Sequence, residues 1–275
     1  MASLYRLDRT LIRISGADAL GFLDNLLTQD LTGLPESAVK YAALLTPQGK
    51  VLADMMLYWQ APDTIVITAD PQRSTDLQRR LTMYKLRARV EIANADDLHE
   101  IWSEVTFDGA LADPRLPALG YRKLAPRADA ERLEDAAPHY EALRFTRGVP
   151  DLGRDIAPDE AFALEALLEE LNGVDFQKGC FVGQENVSRM KRRATTRRKL
   201  CPVNFEGPPP TFGAPIQAGP AEIGSIRHGG AGRAIAFLRL DRAREALSAG
   251  QTLTAEGRPL QLDPPAWLIQ PDASA

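Results

Sequence analysis

Cys180 stands in the run Lys178-Gly179-Cys180-Phe181-Val182-Gly183-Gln184-Glu185, with one glycine beside it and another three residues on. Glycine adopts positive φ freely and carries no side chain, so both positions leave a thiol uncrowded. From Gln184 to Met190 there is no helix breaker, and the segment reads as the opening of a helix. A cysteine just ahead of a helix feels the positive end of its dipole, and Lys178 and Arg189 would add to that field. Both effects favour thiolate, the form that attacks electrophiles and binds metal. The plain alternative is a buried packing cysteine. Neighbours of the lysine, glutamine, glutamate and glycine type argue for the reactive one.

Two carboxylates and a basic stripe extend the set. Asp54 is the only acid in the apolar run 51–59. A strand carboxylate there is commonly a capped structural group, but it also suits a heterocycle, whose ring nitrogens it can accept from or orient. Glu165 falls near the start of a helix expected over 161–171, with Leu164, Leu167, Leu168 and Leu171 on one side. A glutamate in such a helix ordinarily belongs to its solvated face. Arg189, Lys191, Arg192, Arg193, Arg197, Arg198 and Lys199 follow with no acid among them. They read either as a solvated face or as a site for anions, since guanidinium forks match carboxylate and phosphate.

Other chemistries are excluded by what the chain lacks. An iron–sulfur cluster takes four protein ligands, usually thiolates. The chain offers Cys180 and Cys201, with His99, His139 and His228 scattered far from them. Cys180 can therefore touch a cluster only as a ligand shared with a partner. No phosphate-binding loop, dinucleotide fingerprint, zinc spacing or serine-hydrolase motif occurs. A net charge of −4 gives no overall attraction to nucleic acid or membranes. RNA remains a rival ligand for the basic stripe, weakened by the absence of interleaved aromatics. Two cysteines make no disulfide framework and point to a reducing compartment. With no signal core at the start and no apolar run long enough for a bilayer, a cytoplasmic protein without membrane contact is expected.

These residues need a frame, and the patterning supplies one. Strand-like runs at 10–14, 41–45, 51–59, 64–68, 87–93 and 98–107 are joined by a helix after Ala17 and another from Asp70 to Tyr84. Thr46-Pro47-Gln48-Gly49 reads as a tight reversal. Strand 51–59 has no polar face and is expected to be covered on both sides. The order predicts a ferredoxin-like α+β module. Residues 127–137 read as a mobile surface connection, and 139–147 as a helix stopped at Gly148-Val149-Pro150. Beyond Leu200, runs at 200–205, 222–227, 233–240, 252–255 and 259–262 alternate with Gly/Pro turns and predict a small β-barrel, with Cys201 as buried packing.

Residues 178–185 resemble the K-G-C-F/Y-x-G-Q-E signature of the YgfZ family, and Gly173-Val174-Asp175-Phe176 and Arg189 match as well. Ala194 departs from it, at a place where members often carry glycine. YgfZ proteins bind folate, assist iron–sulfur assembly and repair, and share a fold with the T-protein, the aminomethyltransferase of the glycine cleavage system. The resemblance implies three modules around a central opening: a discontinuous folate-binding core at 1–45 and 115–199, a ferredoxin-like module at 46–114 and a C-terminal β-barrel at 200–275. It implies tetrahydrofolate as cofactor, held by Asp54, Glu165, Gln184 and Arg189. Cys180 becomes a reactive thiol, or a ligand to a transient cluster shared with a scaffold or carrier protein. Lys178, Gly179, Gly183, Gln184 and Glu185 complete the motif, and Asp54 takes the place of a T-protein aspartate beside the folate. The function implied is a monomeric assembly or repair factor for 4Fe–4S proteins, including those of tRNA modification, rather than an enzyme. Its place would be the cytoplasm, or the mitochondrial matrix in a eukaryote. A tetrahydrofolate-dependent one-carbon transferase and a tRNA-binding protein are the alternatives.

Overall fold

The computed structural model describes residues 2–33, 38–194 and 196–270. The first half contains β1 (Tyr5–Arg6), β2 (Thr10–Ser15), α1 (Ala19–Leu26), β3 (Val39–Leu45), β4 (Val51–Ala61), β5 (Thr64–Ala69), α2 (Ser74–Lys85) and β6 (Glu91–Asn94). Next come β7 (Leu98–Ser103), β8 (Leu111–Ala112), β9 (Tyr121–Pro126), α3 (Arg127–Ala130), β10 (Glu134–Asp135), α4 (Ala137–Arg147), α5 (Leu152–Asp155) and α6 (Gln184–Arg193). The last part holds β11 (Arg198–Asn204), β12 (Pro215–Ala218), β13 (Ala221–Gly230), β14 (Arg233–Arg239), α7 (Leu240–Ser248), β15 (Leu253–Ala255) and β16 (Arg258–Leu262).

Period-two alternation on β4 explains the centre of the molecule. Met55 and Leu57 join one core with Phe22 and Leu23 of α1 and Leu77 and Leu81 of α2. Met56 and Tyr58 join the other, which reaches into the barrel. The strand is buried on both sides, as its composition required. Its sheet has the order β3-β4-β5-β2-β6, every pairing antiparallel. Strands β6-β2-β5-β4 with α1 and α2 reproduce the ferredoxin-like order, and β3 is an added edge. The module thus draws on β2 and β3 from the first 45 residues. The boundary expected at 46 falls inside the β3–β4 reversal, where Thr46 N–H donates to Lys50 O at 2.8 Å.

A second sheet, β10-β1-β7-β9-β8, carries the segment expected to be mobile. That expectation is corrected: β10 pairs in parallel with β1, Ala136 N–H donates to Arg6 O at 2.8 Å, and Ala130 and Ala136 are buried. The helix expected over 161–171 is also absent. Phe162 forms a β-bridge with Lys50, and Ala163 N–H donates to Gly49 O at 3.1 Å. Glu165 O accepts from Leu200 N–H instead of a residue one turn on, and Leu167 has φ 64. Strand-to-strand contacts outcompete the helical leucine spacing here, leaving a chain of turns.

The C-terminal strands close into the barrel β11-β14-β13-β12-β15-β16. Cys201 is fully buried in it, and burial pushes its thiol up to about 12. The strand expected to end at Leu240 ends at Arg239. There α7 begins, burying Leu240, Ala243 and Ala246 at three-residue spacing.

Candidate functional site

Asp54 lies on the face of β4 that it shares with Met56 and Tyr58, opposite Ala43 of β3. The Tyr41 hydroxyl donates to Asp54 Oδ2 at 2.9 Å. Beside them Arg9 donates to Asp151 Oδ2 at 2.6 Å and stands 3.9 Å from Asp70. The inner wall is a buried ionic network. Arg115 donates to both oxygens of Asp113 at 3.0 and 2.8 Å, and Arg122 donates to Glu100 Oε1 at 2.6 Å and also to Asp113. Tyr58 donates to the same Glu100 oxygen at 2.5 Å, and Tyr140 receives a bond from Arg115. Arg115 also stands over the Tyr41 ring, 5.4 Å from its centre.

Burial and neighbours divide these carboxyls. Burial, reinforced by the charge of Asp151, pushes Asp54 up. Burial alone would also raise Asp151, but Arg9 and Arg144 hold it well below the carboxylate range. Asp113 is likewise opposed by burial, and Arg115 and Arg122 hold it down to about 2. Asp54 is therefore pushed toward its protonated form, whereas Asp113 and Asp151 are held ionised by their arginines.

The chamber is small. About 20 Å³ is left for solvent among Arg9, Tyr41, Asp54, Arg115, Tyr140 and Asp151. That admits about one water, whereas small-molecule pockets start near roughly 300 Å³. The pterin of a folate does not fit beside Asp54 in this arrangement. Outside it opens a vestibule of about 390 Å³ lined by Asp8, Gln72, Glu141 and Arg154. The two spaces share Leu7, Arg9, Asp70, Tyr140 and Asp151, so the Arg9–Asp151 pair stands in their common wall.

The cysteine motif lies elsewhere. Cys180 is exposed, in the loop that leads into α6. Lys178 turns inward, its side chain 1% exposed. Its ammonium donates to the carbonyls of Asp24, Leu27 and Gln29 at 2.6, 2.9 and 2.8 Å. The lysine thus bolts the loop to the end of α1 and does not reach the thiol. Gly183 has φ 86, and a Cβ there would lie 2.6 Å from Thr46 O. This close approach seats the start of α6 on the β3–β4 turn. Gln184 donates to Gly179 O at 3.2 Å, while Glu185 is exposed in the first turn. Arg189 is exposed and held by Asn186. Ala194, the departure from the family pattern, ends α6 at φ 48, a left-handed cap that glycine adopts without strain.

Glu165 belongs to neither place. Its Oε2 accepts from Phe162 N–H at 2.9 Å, and burial pushes it up, against Arg198 and Lys50. None of Glu165, Cys180, Gln184 and Arg189 lines the chamber or the vestibule. The fold thus separates Asp54 from Cys180, and each depends on the β3–β4 hairpin. Sequence reasoning missed Arg9, Tyr41, Arg115, Tyr140 and Asp151. Two of them left a trace in position: Arg115 in the run Asp113-Pro114-Arg115, and Asp151 just after Gly148-Val149-Pro150. Among the described residues no three His, Cys, Asp or Glu side chains converge as a metal site.

Comparison with known proteins decides the family. Residues 9–120 match the family model of the GCVT N-terminal domain, and 197–270 match that of the CAF17 C-terminal beta-barrel domain. The mitochondrial iron–sulfur cluster assembly factor IBA57 of Mus musculus is 32% identical over 248 residues, covering 76% of this chain and 68% of the relative. The Homo sapiens protein of the same name is 33% identical over 244 residues, with the same coverage. The chain belongs to the IBA57 family. The relatives carry the IBA57 name, and the YgfZ resemblance is borne out only as far as the shared domains and the class of iron–sulfur assembly factor. Glycine cleavage system aminomethyltransferase T from Bartonella henselae superposes with a TM-score of 0.75 at 17% identity, over 98% of this chain and 87% of that one. This IBA57-family chain therefore has the T-protein fold with a closed C-terminal barrel. Among its described residues no helix is long and apolar enough to cross a membrane.

Proposed function

We propose that this IBA57-family protein is an iron–sulfur cluster assembly factor that offers Cys180 as a thiol shared with a partner's cluster. The observation that carries the reading is a contrast within one motif. Lys178 and Gly183 are buried fixtures on α1 and the β3–β4 turn, and the cysteine between them is held out to solvent. A single protein thiolate cannot complete a cluster, so the remaining ligands come from a scaffold or carrier protein that brings the cluster as cargo. In cells lacking the chromosomal copy, Cys180→Ser is expected to accumulate as a folded protein while cluster-dependent enzymes lose activity. Full enzyme activity with that variant would sink the reading.

Tetrahydrofolate is the cofactor implied by the resemblance, and the small Asp54 chamber does not fit it. We assign no step to it. The vestibule is the space of suitable size, although its arginines are already paired, Arg9 with Asp151 and Arg154 with Glu141. The test is a calorimetric titration with tetrahydrofolate. Saturable heat that survives Asp54→Asn supports the vestibule. Loss of heat in that variant moves the pterin onto Asp54, and no heat with the parent protein removes folate from the account. The small volume beside Asp54 also speaks against one-carbon transfer there.

A further inference from the structure

We propose that the outer face of α6 is a docking ridge for an acidic protein, and that it delivers this partner to Cys180. The inference rests on the reading of Cys180 as the cluster-meeting thiol and adds the chemistry of the partner.

Helix α6 is sided. Val187 is buried against the β3–β4 turn, near Gly49. Lys191 lies along the protein, with Nζ 2.5 Å from Glu169 and 3.8 Å from the Phe176 ring centre. Arg189, Arg192 and Arg193 are exposed, and their three- and four-residue spacing places them on one stripe. Among the described residues none of the three bonds to a carboxylate; Arg189 is held by the Asn186 amide. Helix geometry makes α6 roughly 15 Å long, with the arginine stripe on roughly the last 6 Å of it, and Cys180 stands in the loop at its start. The approach is open, because a Cβ built on Gly179 meets nothing within 4 Å. One partner of ordinary interface size would cover both the sulfur and the arginines.

A chain of net charge −4 has no general reason to collect unpaired guanidiniums at one place. Cations in the last turn of a helix offset its dipole, which accounts for Arg192 and Arg193 but not for Arg189 in the middle. Nucleic acid would use the same guanidiniums. Single strands, however, also require exposed rings for stacking, and α6 carries no aromatic residue, while Phe176 lies beneath Lys191. Charge complementarity therefore favours an acidic protein surface, with the ridge steering encounter and fixing orientation.

The experiment compares the parent protein, Cys180→Ser and the double variant Arg192→Glu/Arg193→Glu. The probes are a purified acidic iron–sulfur carrier protein loaded with its cluster and a single-stranded oligouridine. Kd is measured by calorimetry at about 50 and about 200 mM salt, and the shared cluster is read by visible circular dichroism. The double variant is expected to weaken carrier binding by about tenfold or more, and salt to weaken the parent similarly. Cys180→Ser is expected to keep the parent's Kd and lose the dichroism change. A double variant that binds the carrier like the parent overturns the ridge, as does a parent that does not bind it at all. A ridge-dependent oligouridine affinity above that for the carrier overturns it in favour of nucleic acid. An unchanged dichroism signal in Cys180→Ser fails the thiol reading alone and leaves the ridge standing. Thermal melts accompany each titration. If charge reversal unfolds the helix, Arg192→Gln/Arg193→Gln replaces it, with a loss of about threefold expected and unchanged binding overturning the ridge.

Discussion

Lys178 places its ammonium 2.9 Å from the carbonyl oxygen of Leu27, where the first helix ends. Three backbone carbonyls there need donors, and this one side chain serves them all. The lysine of the motif thereby becomes the fixed point from which Gly179 and Cys180 project.

Lys178→Met keeps the length of the side chain and removes the donors. Buried acceptors left unpaired make this costly, and a loss of about 2–4 kcal/mol is expected in urea unfolding. Cys180→Ser, at an exposed position, should stay within about 0.5 kcal/mol of the parent. Equal stability of the two variants would refute the anchoring role.

The two glycines of the cysteine motif should behave oppositely. Gly183→Ala puts a methyl 2.6 Å from Thr46 O at φ 86, and a loss of about 3 kcal/mol is expected. Gly179→Ala meets open space and should be neutral within about 0.5 kcal/mol. Chemical denaturation of both, with cluster-dependent enzyme activity in cells, checks the contrast. Activity should fall with the first variant and persist with the second.

Acid stability should depend on Asp113. Its folded-state value near 2 lies below the ordinary 3.8, so its contribution is complete above about pH 4 and lost as pH falls through about 2. Linkage over that interval amounts to about 2 kcal/mol. Asp113→Asn leaves Arg115 and Arg122 short of a buried partner and should cost about 3–5 kcal/mol at neutral pH. The fall in its stability between pH 4 and 2 should be shallower than in the parent. A fall as steep as the parent's would assign the acid limb to other carboxylates.

Asp54 has the opposite sign. Its folded-state value is raised, so its neutral form contributes stability at acid pH that is lost as pH rises through that value. Asp54→Asn removes this dependence, and stability at pH 7 should equal the parent's or exceed it by up to about 1 kcal/mol. A large loss would mean that the ionised carboxylate itself holds the chamber together.

Leu86 ends α2 at φ 44 and ψ −105 with 88% of its surface exposed. The backbone is strained and the side chain gains little by burial. Leu86→Gly should raise stability by about 1 kcal/mol, seen as a melting point higher by a few degrees. A lower melting point would show that the leucine makes contacts which its exposure belies.

Adjacent residues were enough for much of this protein. The run 178–185 declared a motif cysteine, the Thr46–Gly49 reversal and the two apolar faces of 51–59 declared the central hairpin, and the strand-and-turn texture after Leu200 declared a barrel. Each is a local property, set by side-chain period and by turn chemistry. Tertiary structure alone decided the rest. Arg9 meets Asp151 across 142 positions, and Lys178 meets Leu27 across 151. No periodicity records such pairs, because they exist only once separate elements have packed. The leucine spacing over 161–171 spelled a helix, and bridging to Lys50 and Gly49 overrode it. For the same reason the chain could name Asp54 and Cys180 as chemical groups, whereas only packing could put one in a narrow chamber beside Tyr41 and the other in solvent.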